Sequence, residues 1–315
     1  SYWIGAYSIS GVGNYFTSSF VDASGNIYLV SRSTQTLNQA IKISPAGSLL
    51  LSKQIDNTAD SSNNILRLSD LAIDSSGNWY IAFYTYWIAN GLSRVNGLVK
   101  FNSTLSSKLW TKYTSYESGD GGGAYLAFTD DGYITMAGDR HGGSVSDAHV
   151  TRFDSSGNVV DSDTFTGDSI YARSICARSG ENKTYSVFYH SASSSVWRYG
   201  AGHAFSYSPA DMKSTRPDNA GDFRSVGADV NAPYYGRVAA LTAGGVINWG
   251  SRITGSTGTV TFLDCYVNQT NNDLYAVGYH SASGVMKGVI FKYNSSGTLQ
   301  WQRTLSYGSS ASSFY

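Results

Sequence analysis

Charge is scarce in this 315-residue chain: Asp, Glu, Lys and Arg make up 14% of it, against about 25% in ordinary soluble proteins. Lys plus Arg and Asp plus Glu stand at 22 each, so bulk charge gives no electrostatic argument for nucleic acid. Cysteine is limited to Cys176 and Cys265, too few for a disulfide framework, and buried free thiols are expected. Glutamate is limited to Glu117 and Glu181, which leaves little for the paired carboxylates of glycoside hydrolysis beyond Asp pairs such as Asp130 with Asp131. Of the four prolines, Pro209, Pro217 and Pro233 fall in one span, as loops and edge strands allow. No apolar run approaches transmembrane-helix length, so membrane insertion is not expected. G-x-S-x-G, Walker and dinucleotide fingerprints are missing too. No catalytic residue and no cofactor are therefore expected.

What the chain has in quantity is glycine, 34 residues, and tyrosine, 24, a profile of turns and strands with a surface polar through Ser, Thr, Asn and Tyr. Lys287 to Leu305 shows the organising pattern. Alternating apolar residues lead into Lys292, a turn ends in Gly297, and a second alternating run carries Trp301. Period-2 alternation on both sides of an Asn/Ser/Gly turn predicts a β-hairpin. The pattern recurs at Ala40–Ile55, Gly97–Tyr113, His149–Phe165 and Arg237–Ile253. Upstream stand further hairpin patterns, clearest in Phe20–Val30 and Leu71–Phe83, weaker in Ala127–Ala137, Cys176–Phe188 and Cys265–Val277.

Two hairpins in tandem make a four-stranded antiparallel sheet, and repetition at about fifty residues predicts a propeller. The expected fold is all-β: a single β-propeller domain over 1–315, with blades near 15–56, 63–115, 121–166, 169–212, 213–254 and 256–308. Six blades follow from the spacing. Five with a large insertion is the alternative, because 169–254 is irregular between Ile170–Tyr189 and Arg237–Ile253, with His203–Ser208 and Phe223–Val230 as further strands. Residues 1–10 place Trp3 where Trp110, Trp249 and Trp301 stand in the repeats, and read as an extra or ring-closing strand.

The turns D-A-S-G-N-I-Y at 22–28 and D-S-S-G-N-W-Y at 74–80 resemble propeller repeats of the NHL and bacterial SBBP type. Together with K-Y-N-S-S-G-T-L-Q-W-Q-R at 292–303 and the opening S-Y-W, they are also similar to virion proteins of tailed bacteriophages, marine ones especially. The resemblance covers most of the chain, and 169–254 departs from it. It implies a non-enzymatic virion structural protein, a tail, fibre or head-surface component of a multimeric assembly, with other virion proteins or a host surface glycan as partners. The alternative is a secreted or cell-surface bacterial lectin on the same scaffold. A polysaccharide hydrolase ranks below both: the sialidase turn S-x-D-x-G-x-x-W is not met, since Asp stands three residues before Gly here.

In such a blade the first and third turns lie at one edge and the loop between strands two and three at the other. The short DASG, DSSG and NSSG turns thus lie opposite the chemically richer segments Tyr84–Asn96, Asp139–His149, Tyr189–Tyr199 and Tyr279–Lys287. Ligand-binding candidates there are Tyr84, Tyr86, Trp87, Arg94, Arg140, His141, Tyr189, His190, Trp197, Arg198, Tyr279 and His280. Tyr and Trp faces stack on pyranose rings while Arg and His satisfy hydroxyls; aromatics that merely staple blades are the plain alternative. Tyr-His-Ser-Ala-Ser at 189–193 and 279–283 reads either as a repeated pocket or as shared descent. No metal site is expected. Asp139, His141, Asp147 and His149 match no ligand spacing, and Asp22, Asp74 and Asp154 read as acceptors in Asx turns. Lys42, Lys100, Arg152 and Lys292 recur at one strand position, which points to architecture.

Overall fold

A computed structural model describes residues 15–32, 37–56, 66–85, 96–114, 124–142, 145–166, 170–178, 180, 182–190, 193–198, 202–207, 210–229, 235–254, 258–282 and 285–305. Among these residues the strands pair into six four-stranded antiparallel sheets, each built from consecutive strands. The first holds β1 (Tyr15–Val21), β2 (Ile27–Arg32), β3 (Leu37–Ile43) and β4 (Leu49–Asp56). The second holds β5 (Leu66–Ile73), β6 (Trp79–Thr85), β7 (Asn96–Phe101) and β8 (Lys108–Tyr113). The third holds β9 (Ala124–Phe128), β10 (Ile134–Gly142), β11 (Val145–Phe153) and β12 (Val159–Phe165). The fourth holds β13 (Ile170–Arg178), β14 (Lys183–His190), β15 (Ser193–Arg198) and β16 (Gly202–Tyr207). The fifth holds β17 (Ala210–Pro217), β18 (Phe223–Asp229), β19 (Gly236–Leu241) and β20 (Ile247–Ile253). The sixth holds β21 (Thr259–Val267), β22 (Leu274–Ala282), β23 (Val285–Tyr293) and β24 (Leu299–Leu305). The fold is all-β, with its sheets in a propeller arrangement. β1–β12 belong to one compact unit and β13–β24 to a second.

The irregular span 169–254 holds two complete sheets rather than one with an insertion, and the strands expected at 203–208 and 223–230 are β16 and β18. The approximate boundary at 212/213 falls inside β17; the fifth sheet opens at Ala210, just after Pro209, which has no N–H for a ladder. A larger correction concerns the segments 139–149, 189–199 and 279–287, expected as long loops. They are mostly strand: β10 and β11, β14 and β15, and β22 and β23 each approach within two residues of one another. Their Gly, Ser and Ala residues carry backbone donors and acceptors with little side-chain bulk, and pairing satisfies them. Residues 86–95 and the Trp3 segment lie outside the described residues.

Local chemistry explains the hairpins. At Asp22, Asp74 and Asp154 the Oδ1 atom accepts backbone N–H groups two and four residues on, at 2.8–3.0 Å. Oδ2 accepts the side-chain amide of Asn26, Asn78 or Asn158. These are Asx turns, as the sequence predicts. The Asn158 side-chain amide, then its backbone N–H, holds the Asp154 carboxyl below the usual carboxylate range. Lys42, Lys100, Arg152 and Lys292 lie over the rings of Tyr28, Tyr80, Tyr133 and Tyr275 at 4.3–5.5 Å. The recurrent cation is therefore an architectural cation–π contact. Neighbouring sheets within a unit are stapled by tryptophan: Trp110 and Trp249 donate their ring N–H to the carbonyls of Ser155 and Ser295 in the last turn of the next sheet, at 3.2 and 3.0 Å.

The cores lie between sheets. In each unit the first strands pack side by side, β5 against β1 and β9, and β17 against β13 and β21. Fourth strands such as β12 and β24 are exposed along nearly all their length, while every residue of β18 is buried. Cys176 and Cys265 belong to these cores as free thiols. Burial pushes both thiols up to about 12, against a weaker downward pull from Arg216. A thiol reagent at about pH 8 should therefore label neither cysteine of the folded protein, and both once denaturant is added. Labelling of the folded protein at the rate of a free thiol would contradict this.

Candidate functional site

Tyr84, Tyr189 and Tyr279 occupy equivalent places in the second strands of their sheets, paired with Arg67, Tyr171 and Thr261. Each pair lies beside a bulge in the first strand and toward the loop end of the sheet. In the first unit the Arg67 guanidinium lies 5.9 Å from the Tyr84 ring centre, and Tyr84 is buried. Arg140 and His141 lie on β10 opposite Asp147 and Ser146, at the loop end of their own sheet. Tyr86, Trp87 and Arg94 lie outside the described residues. In the second unit, His190 and His280 follow Tyr189 and Tyr279 at the loop ends of β14 and β22. Trp197 and Arg198 do not join them. They pair with Ser186 and Tyr185 near the opposite end of the sheet, because β15 turns back at Ser193 and rises about 3.3 Å per residue.

The bulges decide which side chains gather. They fall in five first strands, at Thr17, Ser69, Arg173, Lys213 and Leu263. A bulge bends its strand and re-aims the local side chains. In β13 and β17, which pack together, the inserted residues are both cations, and both meet Asp211. Arg173 donates to that carboxylate through Nε at 3.0 Å and Nη2 at 3.3 Å, and Lys213 Nζ pairs with Oδ2. The guanidinium also lies 5.1 Å from the centre of the Tyr189 ring and 5.5 Å from that of Tyr171. The two rings are 6.4 Å apart and inclined by 28°.

Arg173 and Lys213 each keep 25% of their side-chain surface exposed, so the cluster is held in place yet open to a ligand. Two cations sharing one carboxylate leave one surplus positive charge beside two aromatic faces. Burial, and then the Arg173 charge, lowers the Lys213 pKa against the opposing pull of Asp211. An incoming anion would relieve that like-charge repulsion. Sequence reasoning named Tyr189 but missed Arg173, Asp211 and Lys213, since a bulge interrupts the alternation used to assign faces. The matching triplets Ala172-Arg173-Ser174 and Met212-Lys213-Ser214 were the available signal.

Around Tyr279 the counterparts of Tyr171 and Arg173 are Thr261 and Leu263. The two Tyr-His-Ser-Ala-Ser segments therefore do not share one pocket chemistry. Asp139 and His149, weighed as metal ligands, are buried strand residues. His149 Nε2 lies 3.0 Å from Thr114 Oγ1, and the Asp139 carbonyl accepts the Asn96 amide at 2.6 Å. Among the described residues no three His, Cys, Asp or Glu side chains gather as an ion would need.

No family model and no curated protein matches the sequence. Solved structures match at the level of fold. A protein of unknown function from Bacteroides caccae superposes with a TM-score of 0.55 at 12% identity, over 90% of this chain and 96% of its own. Two glucose dehydrogenase structures match with TM-scores of 0.54 and 0.55 at 10% and 11% identity. They cover 83% and 86% of this chain and 92% and 96% of theirs. At such identities the likeness shows the fold alone.

Proposed function

We propose that this chain is a non-enzymatic recognition module that binds an acidic saccharide through Tyr171, Arg173, Tyr189, Asp211 and Lys213. The observation that carries the reading is Arg173, set against two tyrosine rings and a carboxylate that it shares with Lys213. A carboxylate on a pyranose ring answers the surplus positive charge while the ring's apolar face stacks on tyrosine. The groups are already positioned by one another, which limits the ordering cost of binding. Each contact is shallow, and many copies raise the net affinity. That suits a tail, fibre or head-surface component of a phage virion facing a host glycan or a neighbouring virion protein, the setting that the sequence resemblance supports. A secreted lectin is the second reading, and it uses the same site.

A glycan array should retain uronic-acid and sialic-acid glycans over neutral ones. Arg173→Ala should weaken retention at least about tenfold, the value of one charge-assisted contact, with the melting temperature measured alongside to confirm folding. Because Lys213 loses its proton more readily than an ordinary lysine, affinity should fall on alkalinisation at a pH below the usual ammonium range. Retention of neutral glycans only, or binding indifferent to Arg173→Ala, would remove the acidic-saccharide reading. Mass spectrometry of purified virions separates the two settings. Dye-linked oxidation of glucose should be absent; turnover would overturn the non-enzymatic part.

A further inference from the structure

At the short-turn edge of the second unit, the end of β13, the turn into β18 and the end of β21 surround a depression of about 470 Å³. That lies within the range of about 300–1,000 Å³ usual for small-ligand sites. Its walls are tied together. Gln269 Nε2 donates to the Pro217 carbonyl at 2.9 Å, and Asn219 Nδ2 donates to the Gln269 carbonyl at 3.0 Å. Asn219 and Asn272 also exchange two bonds, at 3.1 and 2.6 Å.

Arginines outnumber carboxylates among the described residues that line the depression. Asp218 is the one carboxylate among the described lining residues, and its side chain is 1% exposed, paired with Arg224 at 2.7 Å and accepting the N–H groups of Ala220 and Asp222 at 2.9 Å. Arg178 and Arg216 supply the guanidinium groups. Arg178 lies directly over Gly221, where a Cβ would come within 1.9–2.2 Å of Nη2, Nε and Cζ; the missing side chain gives the guanidinium its seat. Arg216 is steadied by the Thr215 carbonyl at 3.2 Å and by Asp264 at 3.1 Å, with 35% of its side chain in solvent. Tyr266 stands at the mouth, 64% exposed, an unusual position for so large a ring.

We infer that this depression is a second ligand site, separate from the Arg173 cluster, which takes an oxyanion attached to a sugar-sized ring. Arg178 and Arg216 hold the oxyanion by the planar donor geometry that suits both carboxylate and phosphate. Tyr266 covers the face of the ring. Titration calorimetry of the Arg173→Ala variant, in which the other cluster no longer contributes, with glucose 6-phosphate, glucuronate and glucose tests this, the first two arms telling phosphate from carboxylate. At least one acid should bind and glucose should not. In that background Arg178→Gln and Arg216→Gln should each weaken the bound acid about tenfold or more. Tyr266→Ala should weaken the sugar acid while sparing inorganic phosphate, with unaltered melting temperatures confirming that each variant is folded. Failure of both acids to bind, equal binding of glucose, or indifference to both arginine substitutions would overturn the site.

Discussion

Asp218→Ala is expected to remove about 3–5 kcal/mol of unfolding free energy, the usual result when one member of a buried ion pair is deleted. Asp218 and Arg224 expose 1% and 6% of their side chains, and their charged atoms stand 2.7 Å apart. Arg224 lies on β18, the strand whose residues are all buried, so it cannot reach solvent when its partner is lost. The same carboxylate holds the turn into β18 by accepting the N–H groups of Ala220 and Asp222, which adds to the loss. Denaturant unfolding measures the effect. The double variant Asp218→Asn with Arg224→Met should lose less than the two single changes summed, because no bare charge remains buried. Arg216 and Asp264, 35% and 50% exposed at 3.1 Å, form the internal control, since an exposed pair is worth at most about 1 kcal/mol. A loss from Asp218→Ala no larger than from Asp264→Ala would refute the assignment.

Gly278→Ala is expected to destabilise by about 3 kcal/mol, at the upper end of the range for overpacked cores. The reason is contact rather than dihedral angle. A Cβ at 278 would lie 2.0 Å from the Thr261 carbonyl oxygen and 2.7 Å from the Phe262 Cα, both backbone atoms that cannot swing aside. Gly227 has the same place in the fifth sheet, 2.2 Å from the Asp211 carbonyl oxygen. Each glycine pairs with the residue just before a bulge, Phe262 or Met212, where the first strand presses on the second. In the fourth sheet the volumes are exchanged, with small Ala172 opposite large Phe188. Gly132→Ala serves as the comparison: its φ of +82° strains an L-residue by about 1–2 kcal/mol, but the space around it is open. Thermal or denaturant unfolding should rank Gly278→Ala as the costlier change, and the reverse order would show that the bulged strand yields.

A feature of the fold is legible in the sequence when residues close together in the chain carry it. Hairpins such as Lys287 to Leu305 were legible because side-chain alternation and Asx-turn chemistry are local, set by residues within about five positions. The shared position of Lys42, Lys100, Arg152 and Lys292 was legible as architecture, though not the tyrosine under each cation. The loop-end segments were misread because Ser, Gly and Ala suit either a loop or a strand, and only a partner strand decides between them. Trp197 and Arg198 were then assigned to the wrong end of their sheet.

Composition and local pattern by themselves determined an all-β chain of tandem four-stranded sheets, and named Tyr189 as a binding candidate. The tertiary structure decided where the bulges fall, which strands stand side by side, and so which charges meet. Arg173, Asp211 and Lys213 come together only because β13 and β17 pack with their inserted residues at matching heights. That matching depends on packing between strands some forty residues apart, and an alternation pattern carries no trace of such a fit.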